Sequence, residues 1–115
     1  MTDLESLRNQ LRNFAADRDW DQFHSPKNLA AALTVEAAEL LEHFQWLTEA
    51  ESQQLPPEAL NEVRTEVADV LLYLIRISDK LGIDLIAAAK AKIELNAAKY
   101  PVDKARGSSR KYTEL

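Results

Sequence analysis

Two acidic pairs, Glu36-x-x-Glu39 and Glu66-x-x-Asp69, stand where charge is least welcome in a helical chain. An α-helix turns ~100° per residue, so residues three apart share a face. On that wheel Leu29, Leu33, Leu40, Phe44 and Leu47 form one apolar stripe, and Glu36 falls inside it. Val63, Val67, Val70, Leu74 and Ile77 form a second stripe, with Glu66 beside it. Glu39 and Asp69 hold the matching edges. Carboxylates turned toward a core are unfavourable unless something neutralises them. A hard divalent cation would do so, and an all-oxygen set suits Mg²⁺. From the residues alone, a metal site and a solvated acidic edge both remain open, because acidic pairs of this spacing are common on helix surfaces.

The rest of the chain supports helices and little else. Of 115 residues only 2 are Gly and 4 Pro, and 46% are apolar with helical spacing, which predicts an all-α fold in a single domain. A net charge of −5 argues against a nucleic-acid polymer as partner, since phosphate backbones need basic stripes. There are no cysteines, hence no disulfide framework or thiolate metal site. That composition and the polar, charged N-terminus fit a cytoplasmic protein without a membrane anchor.

In chain order, Thr2 or Asp3 caps a first helix with Leu4, Leu7, Leu11 and Phe14 as core positions, ending near Asp19. Trp20 to Ser25 reads as a loop, closed by Ser25-Pro26 as cap and first helical position. Trp20 and Phe23 there are either a lid on the core or a stacking surface for a base, with His24 as a polar contact. A second helix is expected from Pro26 to Leu47. His43 on it is expected to be a surface or supporting histidine, because its spacing from Glu39 is wrong for a Glu-x-x-His metal pair. Thr48 to Pro57 reads as a polar connection. A third helix runs from Pro57 to Leu81 and stops at Gly82. Leu71, Leu72 and Ile75 point away from its main stripe, which predicts an oligomer interface. Glu62 lies one turn before Glu66, and Tyr73 one turn after Asp69, on the same side. Asp84 caps a fourth helix reaching Tyr100, with Ile86, Ala89, Ile93, Ala97 and Tyr100 as its core stripe. The remainder, 102–115, is a polar, basic tail expected to be flexible.

The acidic signature resembles that of the all-α nucleotide pyrophosphohydrolases, the MazG-like superfamily, and within it the dCTP pyrophosphatase branch. The segments Phe14-Ala-Ala-Asp-Arg-Asp-Trp-Asp-Gln-Phe-His24, Glu39-Leu-Leu-Glu-His-Phe-Gln-Trp46 and Glu66-Val-Ala-Asp-Val-Leu-Leu-Tyr73 carry the resemblance. So do Tyr100-Pro101-Val102 and Arg106-Gly-Ser-Ser-Arg-Lys-Tyr-Thr113, and this match implies that the tail orders against the body or a neighbouring subunit. It covers nearly the whole chain and implies a four-helix MazG-like bundle over 1–115. It also implies a homo-oligomer, a tetramer first and a dimer second. Glu36, Glu39, Glu66 and Asp69 would then ligate Mg²⁺, and Glu62 would orient the attacking water. Trp20, Phe23, His24 and Trp46 would hold the base, and Tyr73 would crowd a 2′-hydroxyl. Lys92, Asn96 and Lys99 match family residues that face the phosphates.

The implied reaction is hydrolysis of a nucleoside triphosphate between its α and β phosphates, with dCTP the first choice of substrate. Such a step needs charge neutralisation, in-line geometry and an activated water more than covalent catalysis. His24 or a backbone group of its loop is the expected reader of the base edge, and a contact to the cytosine amino group would reject uracil. Two rivals stand beside this reading. One is a house-cleaning hydrolase of modified triphosphates or of dUTP. The other is a non-enzymatic helical interaction module, which leaves four inward carboxylates beside aromatic residues unexplained.

Overall fold

The computed structural model describes residues 1–115 and contains helices and turns but no strands. It has six α-helices: α1 (Asp3–Asp17), α2 (Pro26–Glu42), α3 (Glu49–Ser52), α4 (Pro57–Leu81), α5 (Leu85–Lys99) and α6 (Val102–Ala105). The all-α expectation is met. The chain divides into two compact units, Met1–Gly82 and Ile83–Leu115. No helix is long and apolar enough to cross a membrane.

The first unit is built on α4, which packs against both α2 and α1. Its helices begin where local chemistry tells them to. The Thr2 side chain accepts from the backbone N–H of Glu5 at 3.2 Å, and Glu5 accepts in return from the Thr2 N–H at 3.1 Å, a reciprocal capping box. Ser25 caps α2 through the Asn28 N–H, with Pro26 in the first turn. α4 opens on Pro57 and ends at Gly82, whose φ of 65° is a left-handed conformation that costs a glycine nothing. Leu29 from α2, Ala15 from α1 and Ile75 from α4 are the buried apolar residues.

Several boundaries and faces differ from the sequence reading. α2 stops at Glu42, not Leu47, because the chain leaves the helical ladder for tighter turns from His43 onward. The expected loop at Trp20–Ser25 contains a 3₁₀ turn over Asp21–Phe23. The expected connection at Thr48–Pro57 contains α3, which Thr48 and Glu51 nucleate with a second capping box. Ile75 is not part of an outward face. It is 3% exposed, because α4 is covered on two sides within one chain. Of the three residues assigned to that face, Leu71 is exposed and Leu72 half-buried.

The second unit is described by itself. Asp84 caps α5 through the Ala87 N–H at 3.1 Å, as its position predicted. The expected core stripe of α5 is exposed at Ile86, Ala89, Ile93 and Ala97, and only Tyr100 is half-buried. Within this unit only the short α6 and the terminal turn are available to cover a fifteen-residue helix. The segment expected to be a flexible tail has local order. α6 is followed by a 3₁₀ turn over Tyr112–Glu114, and Tyr112 meets Tyr100 edge-on with ring centroids 6.0 Å apart.

Leu29 is 1% exposed, so truncating it leaves a void that neighbours fill only in part. Leu29→Ala is expected to destabilise the fold by ~2–5 kcal/mol. Urea unfolding should show this as a lower midpoint with an unchanged slope.

Candidate active site

Packing α2 on α4 brings Glu36, Glu39 and Glu66 together. One carboxylate oxygen from each lies within 4.8 Å of the others, and all three residues are half-buried. Asp69, one turn beyond Glu66, is also half-buried, and its negative charge acts on Glu36. Burial, followed by the crowding of Glu66, Glu39 and Asp69, pushes the Glu36 carboxyl up to about 7.

Two oxygens in the cluster are decisive. Glu36 Oε2 and Glu66 Oε2 are buried and have no hydrogen-bond partner. Buried polar atoms are paired in almost every folded protein, so these two oxygens need either a shared proton or a cation between the carboxylates. The donor set is all oxygen and carries several carboxylates at close range. These residues fit a hard divalent ion.

Other candidate residues fall into three groups. Glu62 is exposed and lies 3.6 Å from the His43 ring, on the near side of α4. Tyr73 is half-buried on α4. The Trp20–His24 turn is held in place by backbone and side chain alike. Trp20 N–H donates to the Ala15 carbonyl at 2.8 Å, Asn28 donates to the Phe23 carbonyl at 2.9 Å, and Trp20 packs edge-on against Phe14 at 5.7 Å. Asp19 takes a left-handed φ of 54° to start the turn, which an aspartate tolerates better than most residues. Trp20 is half-open and Phe23 is 59% exposed, so both rings present a free face. Trp46, expected beside them, is 86% exposed and is not brought against the cluster. Lys92, Asn96 and Lys99 lie on α5, in the second unit, where Lys99 sits 5.0 Å over the Tyr112 ring.

The sequence reading missed a second set of charges. Arg76, on α4, is buried and donates to His24 and to Asp21. Lys80 donates to the same Asp21 oxygen at 2.5 Å. Hydrogen bonds from Lys80 and Arg76 hold the Asp21 carboxyl below the usual range. Arg12 of α1 grips Asp79 with two hydrogen bonds, one of 2.7 Å through Nε, and lowers its carboxyl likewise. The signal was present: Arg76 and Lys80 continue the spacing of Glu62, Glu66, Asp69 and Tyr73 along α4.

A helical unit with inward carboxylates on two packed helices is the frame of an all-α hydrolase whose acidic cluster could hold a metal, and known proteins place the chain in such a class. The sequence profile of the MazG-like family matches residues 31–115. The chain belongs to the MazG-like family. It is 45% identical over 114 residues to human dCTP pyrophosphatase 1, an overlap spanning 97% of this chain and 67% of that protein. The bovine protein of the same name is 41% identical, over 97% of this chain and 68% of its own length. Among solved structures, a pyrophosphatase from Archaeoglobus fulgidus superposes with a TM-score of 0.78 at 42% identity, covering 88% of this chain and 94% of that one.

The raised carboxyl has a consequence for stability. In cation-free protein, Glu36 keeps its proton up to about 7 in the fold, against 4.5 in an unfolded chain. The folded state therefore binds more protons between those values. Its contribution to stability is complete below the lower value and is lost as pH rises through the upper one. Without divalent cations, the wild-type Tm should fall relative to that of Glu36→Gln between about pH 5 and about pH 8. Added divalent cation should raise the wild-type Tm more at the alkaline end, because it competes with the proton.

Proposed function

We propose that the chain is a nucleoside triphosphate pyrophosphohydrolase that cleaves dCTP between its α and β phosphates to dCMP and pyrophosphate. The observation that carries this is the cluster of Glu36, Glu39 and Glu66 with two unpartnered oxygens, in a chain 41–45% identical to proteins named dCTP pyrophosphatase 1. Mg²⁺, held by these three and Asp69, would supply charge neutralisation for the phosphates and lower the pKa of a bound water. Glu62, exposed one turn before Glu66 on α4, orients the water that attacks. Trp20 and Phe23 offer free ring faces on which a base stacks, worth ~1–3 kcal/mol per base and tolerant of its identity. Tyr73 lies between that turn and the carboxylates in the register of α4, where its ring would crowd a 2′-hydroxyl. Lys92, Asn96 and Lys99 keep the phosphate-contacting role that the family resemblance implies. The whole chain, 1–115, is read as one MazG-like domain of a cytoplasmic nucleotide-pool enzyme, its long helices forming the family's bundle.

Glu39→Gln and Asp69→Asn keep side-chain shape while removing ligand charge. Both are expected to fold with near wild-type circular dichroism and to lose about a hundred-fold or more in kcat/KM, beyond the usual effect of residues that merely orient a ligand. Wild-type turnover in either variant at saturating Mg²⁺ would disprove the metal assignment. In the same assay, equal dCTP, dTTP, dUTP, dATP and CTP should yield mainly dCMP. A purine or ribose preference would remove, respectively, the stacking pocket and the role of Tyr73.

The functional unit is an oligomer, a homotetramer by preference. Leu41, Trp46, Val67 and Leu71 are exposed on the first unit, and Ile86, Ile93 and Leu95 on the second. Large apolar side chains left open on each unit are candidates for contact with further copies of the chain. Light scattering at micromolar concentration should return a multiple of the 13.0 kDa chain mass. A value equal to one chain would refute the assembly and leave Trp46 without a route to the base.

A further inference from the structure

One side of α4 carries a row of which the acidic signature is only the first half. Glu62, Glu66, Asp69, Tyr73, Arg76 and Lys80 follow one another at alternating steps of four and three residues, so all six share a face. The row is acidic at its start and basic at its end, with Tyr73 between. At 1.5 Å per residue, Asp69 and Arg76 are ~10 Å apart along the axis, comparable with the reach from a nucleotide's α-phosphate to its base.

Arg76 is the buried charge in this row, with a side chain 7% exposed. Its Nε donates to Nδ1 of His24 at 3.1 Å, and its Nη2 donates to Oδ1 of Asp21 at 2.6 Å. Nη1 lies 3.8 Å from Asp79, which Arg12 holds from α1. One guanidinium thus grips both Asp21 and His24 of the aromatic turn. A guanidinium only donates. The His24 nitrogen that faces it must therefore carry a lone pair, which leaves the single ring proton on Nε2. The charged groups around His24 are Arg76, Asp21 and Lys80. Burial and then the Arg76 charge hold the imidazole below its usual pKa, Lys80 adds to this, and Asp21 opposes it.

We propose that Arg76 is a positioning residue of the nucleotide site, fixing His24 as the neutral Nε2–H tautomer so that the imidazole offers the base a hydrogen-bond donor and never an acceptor. This rests on the nucleotide-hydrolase reading and sharpens it. His24 meets an acceptor on the pyrimidine edge, the carbonyl O2 or the ring nitrogen N3. The cytosine amino group is itself a donor, so its acceptor lies elsewhere in the turn, among the backbone carbonyls. His24 as a reader of the amino group, one option left open by the sequence, is thereby excluded.

The imidazole ¹⁵N resonances of nucleotide-free protein read the tautomer directly. Wild type should show protonated Nε2 and bare Nδ1 above about pH 6.5, with a midpoint below that value. Arg76→Ala should give exchanging tautomers and a midpoint moved up toward the ordinary value. Arg76→Lys keeps a cation near Asp21 but lacks the rigid fork. It should lose the fixed tautomer with a smaller fall in Tm than Arg76→Ala. With dCTP and Mg²⁺, KM should rise about ten-fold in both variants while kcat stays within about two-fold, the mark of one lost binding contact. An unchanged tautomer in both variants overturns the proposal, whatever happens to Tm. A scrambled tautomer with an unchanged KM overturns it as well. If wild type hydrolyses no nucleotide, the functional reading fails on its own, since the tautomer is measured without one.

Discussion

The packing of α2 on α4 is the contact on which the site depends. Each helix presents an apolar stripe that must leave water, and each stripe carries carboxylates within it or on its edge. Burying the stripes forces Glu36, Glu39 and Glu66 to within 4.8 Å of one another. The apolar surface supplies the driving force, and the crowded anions oppose it. The result is a centre strained electrostatically when empty, with a proton held on Glu36 up to about 7 as a partial substitute for a cation. A cation bound there would relieve that repulsion and so stabilise the fold.

Along α4 the same regularity separates two kinds of chemistry. The acidic half lies against α2, while the basic half lies against the aromatic turn that follows α1. A single rigid helix therefore sets the distance between the carboxylate cluster and the aromatic turn. Rigidity of the second place comes from Arg76, whose burial would be unfavourable without the partners it has in Asp21, His24 and Asp79. The turn is short and mostly exposed, and apolar burial alone does little to hold it.

Apolar surface left open points outward from both units. Trp46 is the sharpest case. It follows a helix that ends earlier than its apolar spacing suggests, and its ring lies almost wholly in solvent. An open indole of this size is the kind of surface that marks an interaction site.

The chain by itself determined the helices and half of the site. Periodicity placed α1, α4 and α5 to within about two residues, and Ser25-Pro26, Gly82 and Asp84 marked the start of α2, the end of α4 and the start of α5, because caps and breakers act through the local backbone. The acidic pairs were legible for the same reason: spacing on one helix fixes a shared face. What tertiary structure decided was which faces meet. Ile75 was read as outward and is buried, since only packing shows that α4 has cover on two sides. Arg76 carried no local signal beyond its spacing. Its partners Asp21 and His24 are more than fifty residues away in the chain, and a contact at that separation is fixed by the fold, not by any window of sequence.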